Sequence, residues 1–313
     1  MKQHLYRHGL LLAACALASC ACPASFREVP APQVKRVADV ANLSSCQVRH
    51  YGATLLAQAD SASMVQALVQ AGANVHGNQI VNGNEYPGSP LLQTNKIEVA
   101  RALLRSGADP NAAGGVHRYT PLCDAVRKGN TQKVQMLLDA GAHATLADSK
   151  GESPLYTAAA RADAAMCRQL LGAGAAVDIG LQADGTTPLM ALLRAAHAGK
   201  LPRAEADATA QLLLSSGAQV DVVDAEGNTL LHYATPALVQ HLLAVGLSPH
   251  ATNQKGRTPL FSSMDRSVVD ALLAAGADVQ AQDGEGNTAF DVVPSPQVKS
   301  YLLFRGCRSG KPL

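Results

Sequence analysis

The feature that most constrains the fold is a short pattern that recurs eight times along the chain. Each copy begins with Thr or Ser, usually followed by Pro and Leu, and ends in a Leu-rich run closed by Gly. Successive copies follow one another at a nearly regular spacing. The starting residues are Thr54, Ser89, Thr120, Ser153, Thr187, Thr229, Thr258 and Thr288, and the closing residues are Gly72, Gly107, Gly141, Gly174, Gly217, Gly246, Gly276 and Gly306. Two signals in phase over eight copies indicate an array of small structural repeats.

The copy from Thr120 to Gly141 shows what one unit specifies. Thr120 is a good N-cap because its hydroxyl can accept a hydrogen bond from an unpaired amide. Pro121 suits the first helical position, since it lacks an N–H and its φ is preset. A second helix is expected from about Thr131, and Gly141 supplies the left-handed residue that ends it. One such helix pair cannot cover its own apolar face, so neighbouring pairs must stack.

These residues resemble the ankyrin repeat, whose signature is T-P-L-H-x-A and whose period is similar to the spacing seen here. The resemblance implies an all-α solenoid of about eight helix-turn-helix repeats with projecting β-turn or hairpin fingers. We expect the domain to span 36–313, with an N-terminal cap at 36–50, repeats over about 51–307 and a tail at 308–313. The composition suits closely packed small helices, since 47% of residues are hydrophobic and only 4% are aromatic.

Departures from the repeat pattern predict local changes. The distance from the starting Thr to the closing Gly is about one helical turn shorter in several copies, and Thr235-Pro236 marks the lost turn in the sixth. In the fifth copy the segment 195–205 is an insert, which we expect between the two helices. The first connecting turn, 73–88, is longer than the others.

The segment 1–19 is predicted to be a signal peptide. Lys2 and Arg7 precede the uncharged stretch 9–18, which is too short to span a bilayer. Leu17-Ala18-Ser19-Cys20 resembles the lipobox of bacterial lipoproteins, which implies a lipid on Cys20. An alternative is the A-x-A site at 16–18, whose cleavage would release a soluble protein.

The segment 20–35 is rich in Pro and Ala and is predicted to be an extended tether. Ala21 stands where inner-membrane lipoproteins carry Asp, so the resemblance implies the outer membrane, facing the periplasm. We expect contact with the membrane only through the N-terminal lipid.

Charge and ligand spacing exclude several functions. Without the segment 1–19, which carries Lys2 and Arg7 and no acid, basic and acidic residues are equal in number, so no electrostatic reason favours a nucleic-acid partner. No His or Cys pair has a metal-ligand spacing, and no nucleophile stands beside a base. We therefore expect no metal, no cofactor and no catalytic residue.

The remaining cysteines have separate expected roles. Cys167 falls in the second helix of its repeat and is expected to be a buried thiol. Cys123 replaces the motif histidine and is expected to be half-buried. Cys307 stays unassigned, and Cys22 and Cys46 are candidates for a disulfide that would pin the tether to the cap.

Ankyrin repeats bind proteins, so the resemblance implies a non-enzymatic, monomeric protein-binding module of the bacterial envelope. An immunity protein that neutralises a periplasmic toxin is one alternative, and an enzyme hidden in the inserts is another. The residues that differ between fingers are the candidate partner contacts. They are Tyr86, His117, Arg118, Tyr119, Lys150, Glu152, Glu226, Lys255, Arg257 and Glu285. Aromatic and Arg side chains are the types enriched at interaction hot spots.

Overall fold

The computed structural model describes residues 34–77, 79–81, 84–86, 88–181 and 185–310, with 79–81 and 84–86 described as backbone only. The predicted signal peptide, Cys20 and Cys22 lie outside these residues, as does nearly all of the predicted tether. The chain divides into two compact units, one ending at Asp109 and the other beginning at Pro110. No helix of the described part is both long enough and apolar enough to cross a membrane.

The described part of the first unit, 34–109, contains five helices and one hairpin. The helices are α1 (Val37–Val40), α2 (Ser45–Gln58), α3 (Ala62–Gln70), α4 (Pro90–Gln93) and α5 (Ile97–Arg105). The hairpin pairs β1 (Gln79–Val81) with β2 (Asn84–Tyr86) antiparallel, with Ile80 opposite Glu85. The long first connection therefore forms a hairpin, as the fold class predicts for a finger.

The prediction that Thr54 opens the first helix is wrong. Helix α2 begins well before it, at Ser45, because Ser44 accepts a hydrogen bond from the Gln47 amide while the Gln47 side chain accepts one from the Ser44 amide. This capping box fixes the start. Thr54 is buried in the middle of the helix, where no proline follows to open a new one. The helix also crosses the predicted boundary between cap and first repeat at residue 50.

The described part of the second unit, 110–310, contains six helix pairs. Each pair has an inner element, which starts at the Thr or Ser of the pattern, and an outer helix, which ends at the Gly. The pairs are α6 (Pro121–Arg127) with α7 (Thr131–Asp139), α8 (Pro154–Ala159) with α9 (Ala164–Gly172), α10 (Pro188–His197) with α11 (Arg203–Ser215), the 3₁₀ helix Leu230–Tyr233 with α12 (Val239–Ala244), the 3₁₀ helix Pro259–Ser262 with α13 (Arg266–Ala274), and α14 (Ala289–Val292) with α15 (Pro296–Phe304).

The capping chemistry of the pattern is observed in the inner helices. The hydroxyls of Thr120, Ser153 and Thr187 each accept a hydrogen bond from the backbone amide three residues later. Proline occupies the first helical position in all three. Gly141, which follows the end of α7, has a φ of 84°, a conformation that side chains disfavour. Inner elements pack on inner elements along this unit, and among the outer helices α9 packs on α11, α12 on α13 and α13 on α15.

Two predicted departures take a definite form. The inner elements of the sixth and seventh repeats are 3₁₀ helices of four residues, against seven residues in α6, which accounts for the lost turn. The segment 195–205 is not a loop inserted between helices. It lengthens α10 to 10 residues and brings α11 to 13, so only 198–202 connects them. Good helix formers such as Ala and Glu fill this segment.

Candidate functional site

The candidate binding surface consists of the fingers, the turns that connect one outer helix to the next inner element. We name five fingers of the second unit after a central residue. They are the Arg118 finger (110–119), the Asp148 finger (142–152), the Asp224 finger (218–228), the Asn253 finger (247–257) and the Asp283 finger (277–287).

Four of these fingers share an internal turn that is built around one Asp or Asn side chain. In the Asp148 finger, Oδ1 accepts hydrogen bonds from the amides of Lys150 at 2.8 Å and Glu152 at 2.9 Å. Asp224, Asn253 and Asp283 accept from the amides two and four residues later in the same way. This side chain therefore replaces the backbone partners that the turn lacks.

Neighbouring fingers are joined by backbone hydrogen bonds. The amide of Ser149 donates to the carbonyl of His117 at 2.9 Å, Gln254 donates to Glu226 at 3.0 Å, and Gly284 donates to Lys255 at 2.9 Å. A Cβ added to Gly256 would lie 3.0 Å from the amide nitrogen of Gly284. The close approach of these two fingers therefore requires glycine at position 256, where φ is 73°.

Side chains add a second layer of bonds to the last fingers. Arg257 Nε donates to Asp283 Oδ2 at 3.0 Å, and the Asp283 side chain is only 1% exposed. Burial by itself would raise the pKa of Asp283, but the hydrogen bonds from Arg257, Asn287 and the backbone outweigh it and lower that pKa to about 2. Arg257, a predicted partner contact, therefore has an internal partner.

His232, in the inner element that follows the Asp224 finger, bonds to the end of the Asn253 finger. Its Nδ1 accepts from the amide of Thr229 at 3.1 Å, so the proton lies on Nε2, which donates to the carbonyl of Arg257 at 3.0 Å. The ring is buried, and this burial lowers the pKa of His232. The neutral imidazole thus holds the turn.

The Arg118 finger is built differently. Arg118 takes the place of the glycine that stands two residues before the Thr or Ser in the other four fingers, and its φ is 51°. The finger is closed by hydrogen bonds from the amide of Gly114 to the carbonyl of Tyr119 and from that of Arg118 to Gly115. Non-glycine residues in this conformation are strained, and such strain often occurs at functional sites.

The structure brings three of the predicted contacts together on this finger. Tyr119 and His117 have ring centroids 5.5 Å apart, and the Arg127 guanidinium lies 4.9 Å from the centre of the Tyr119 ring. Arg118 is exposed, whereas His117 and Tyr119 are half-buried. The ring of Tyr119 therefore packs within its own repeat.

The other predicted contacts are spread along the remaining fingers. Lys150 and Lys255 are exposed at the tips, as are Glu226 and Glu285, and Glu152 is half-buried. The side chain of Tyr86 lies outside the described residues, although its backbone belongs to β2. Sequence reasoning missed Val116, which is 92% exposed beside Arg118, and Leu146, which is 37% exposed on the Asp148 finger. An apolar residue in an otherwise polar turn was the available signal.

Cys123 and Cys167 are not activated nucleophiles. Burial raises the pKa of the Cys167 thiol to about 12 and also raises that of Cys123. The expectation that Cys123 is half-buried is wrong, because it is 3% exposed and its thiol faces the Leu146 carbonyl at 3.3 Å. The Cys22–Cys46 pairing stays a prediction, since Cys22 lies outside the described residues. The described residues hold no group of three His, Cys, Asp or Glu side chains that could bind a metal.

Comparisons with known proteins agree with this architecture. A family model described as Ankyrin repeats (3 copies) matches residues 122–201 and 192–283, which together make up just over half of the chain. The crystal structure of the ankyrin repeat domain of Bcl-3 is similar with a TM-score of 0.55 and 26% identity. That match covers 70% of this chain and 96% of the Bcl-3 chain.

Two curated relatives are much longer proteins. The neurogenic locus notch homolog protein 1 of Mus musculus is 36% identical over 149 residues, which are 45% of this chain and 5% of that protein. The phosphocholine transferase AnkX of Legionella pneumophila is 25% identical over 230 residues, which are 66% of this chain and 23% of that protein. The chain thus corresponds to a small part of these relatives.

Proposed function

Because the chain belongs to the ankyrin-repeat family, we propose that it is a non-enzymatic module that binds a protein partner through its fingers. Ankyrin repeats are interaction scaffolds, and the observation that carries the proposal is the composition of the finger tips. Val116, at 92% exposure, and the strained Arg118 stand at a tip that is closed by its own backbone bonds. Arg is one of the residue types enriched at interaction hot spots.

An enzymatic role receives no support from the described residues. AnkX is named a phosphocholine transferase, but this chain corresponds to only 23% of its length, so that activity is not transferred. Cys123 and Cys167 are buried thiols of the helix pairs, and their raised pKa values keep them protonated near neutral pH. A scaffold accounts for the chain without an added active site.

We further propose that the protein is a monomer anchored by lipid on Cys20 in the outer membrane, facing the periplasm. The support is the sequence Leu17-Ala18-Ser19-Cys20 after a basic and then apolar segment. Labelling cells with a fatty-acid analogue tests the anchor. We expect label on the wild-type chain and none on Cys20→Ser, whereas an unlabelled, soluble wild-type product would overturn the anchor but not the binding role.

The binding role is tested with the full chain expressed in cells and cross-linked before purification. We expect one dominant protein to co-purify with the wild type and at least ten-fold less of it with Val116→Asp, since a charge would disrupt an apolar contact. Gln211→Ala, an exposed change on outer helix α11, is the matched control and should leave recovery unchanged. Equal recovery from all three chains would reject the Arg118 finger as the site. A toxic hydrolase as the recovered partner would identify an immunity role.

A further inference from the structure

The Asp148 carboxylate has one oxygen that the protein does not use. Asp148 is 8% exposed, and its Oδ1 holds the turn of its finger by accepting from two backbone amides. Its Oδ2 is buried, and no described residue donates a hydrogen bond to it. A buried acceptor without a donor is costly, because it has lost its water without gaining a partner.

On two other fingers, the equivalent Oδ2 atom accepts hydrogen bonds from donors within the protein. Asp224 Oδ2 accepts from the Tyr233 hydroxyl at 2.6 Å and from Asn228 Nδ2 at 3.1 Å. Asp283 Oδ2 accepts from Arg257 Nε at 3.0 Å and from an Asn287 amide at 3.2 Å. The fold therefore normally supplies this oxygen with a donor, either a phenol or a guanidinium, together with an amide.

The Asp148 finger has lost the residues that would supply these donors. Glu152 stands four residues after Asp148, where Asn228 and Asn287 follow their aspartates, and a carboxylate cannot donate. Thr157 stands nine residues after it, where Tyr233 follows Asp224. Tyr119 takes the position of Arg257 on the preceding finger, and its ring lies against Arg127 instead.

A groove of about 540 Å³ opens at this point between the Arg118 and Asp148 fingers. Its lining is partly apolar, with Ala113, Leu146 and Ala147, and Asp148 and Arg118 complete this part of the wall. Arg118 makes the groove unfavourable for a second cation. The same guanidinium favours an aromatic ring, through the attraction between a cation and the face of a π-system.

We propose that this groove receives a tyrosine side chain of the protein partner, with its hydroxyl donating to Asp148 Oδ2. The ring would pack on Leu146 and the alanines, and the phenol would do for Asp148 what Tyr233 does for Asp224. Oδ2 is shielded from water in the free protein, so the hydroxyl reaches it by moving the side chains that line the groove apart. The hydrogen bond then forms without competition from water. This inference rests on the proposed binding role and names one group of the partner.

The test uses two small probes with the full chain, N-acetyltyrosinamide and N-acetylphenylalaninamide, which differ by the hydroxyl alone. Ligand-observed NMR titration should show about ten-fold tighter binding of the tyrosine probe, as expected for a hydrogen bond to a charged group. Asp148→Asn should reduce this ratio several-fold, because the charged acceptor is lost and only a neutral bond from the amide NH₂ to the phenol oxygen can replace it. Its turn is preserved, because Asn253 holds the same turn through its own Oδ1.

Leu146→Ala is the second variant, and it should weaken both probes equally because it removes only ring contact. Equal binding of the two probes to the wild type would overturn the proposal, as would a tyrosine preference that Asp148→Asn leaves undiminished. Methylguanidinium serves as a third probe, and if it binds more tightly than the tyrosine probe, the proposal is overturned in favour of a cationic partner group. If Val116→Asp abolishes partner recovery while Asp148→Asn leaves it unchanged, the tyrosine inference fails and the proposed function stands.

Discussion

The Asp283 finger and the Arg118 finger occupy equivalent places in their repeats but are stabilised in different ways. The Asp283 finger is tied internally by a buried carboxylate and joined to its neighbour by Arg257 and a backbone bond. The Arg118 finger has no such carboxylate, holds an Arg in a glycine conformation and exposes Val116 almost fully. We infer that the ordered fingers stabilise the array, whereas the strained finger is available to bind a partner.

The largest effect is expected from Asp283→Ala. This change leaves two backbone amides, Asn287 and Arg257 without their shared acceptor, and we expect the free energy of unfolding to fall by about 3 kcal/mol. Urea denaturation followed by circular dichroism measures the change. Glu285→Ala, two residues away at the exposed tip, should change stability by less than about 0.5 kcal/mol. Similar effects of both changes would show that the finger is not ordered by its carboxylate.

Arg257→Ala should destabilise the protein by about 2 kcal/mol, because it removes one charged partner of Asp283 and leaves the turn amides in place. A double-mutant cycle with Asp283→Ala gives the coupling energy between Arg257 and Asp283, apart from the other contacts that each side chain makes. A coupling energy near zero would mean that Arg257 is free for a partner, as the sequence first predicted.

Arg118→Gly should act in the opposite direction and stabilise the protein by about 1 kcal/mol, because glycine adopts a positive φ without strain. The same change should weaken partner recovery. Gly256→Ala is the converse control on an ordered finger, and it should destabilise the fold because its Cβ would meet the Gly284 amide. Calorimetric unfolding of the three chains provides the measurement, and a destabilised Arg118→Gly chain would contradict the assigned strain.

The smallest effect at neutral pH is expected from His232, because its contribution appears only as the pH falls. Burial lowers the pKa of His232 in the folded protein, so the unfolded chain binds a proton more readily below its ordinary pKa of 6.5. Stability should therefore fall as pH drops below about 6.5, by at most about 1.4 kcal/mol per pH unit for this one group. His232→Gln should flatten the slope. Part of it should remain, because burial also lowers the pKa of His197. A slope unchanged in His232→Gln would reject the neutral bracing role.

The repeat pattern of the sequence was sufficient to predict the fold class, and ankyrin repeats with projecting turns are confirmed. Thr120, Pro121 and Gly141 act locally, so their roles are readable from the chain alone. Thr54 was misread because the capping box that begins its helix lies well upstream, at the end of the predicted cap. The predicted contact Arg257 turned out to have a partner on the next finger, since that pairing depends on distances between repeats. That Asp148 Oδ2 lacks a hydrogen-bond donor is likewise visible only when the equivalent turns of the other fingers are compared in three dimensions.

The turn built on an Asp or Asn side chain has a consequence for how such a protein can change over generations. Asp148 holds its turn through the amides of residues 150 and 152, so the side chains of Ser149 and Lys150 take no part in those bonds. The same two places are filled by Ala225 and Glu226, and by Gln254 and Lys255, on other fingers. The residues at these two places therefore differ between fingers, while the turn that carries them stays the same. New partner specificities can arise there by point substitution at little cost to folding.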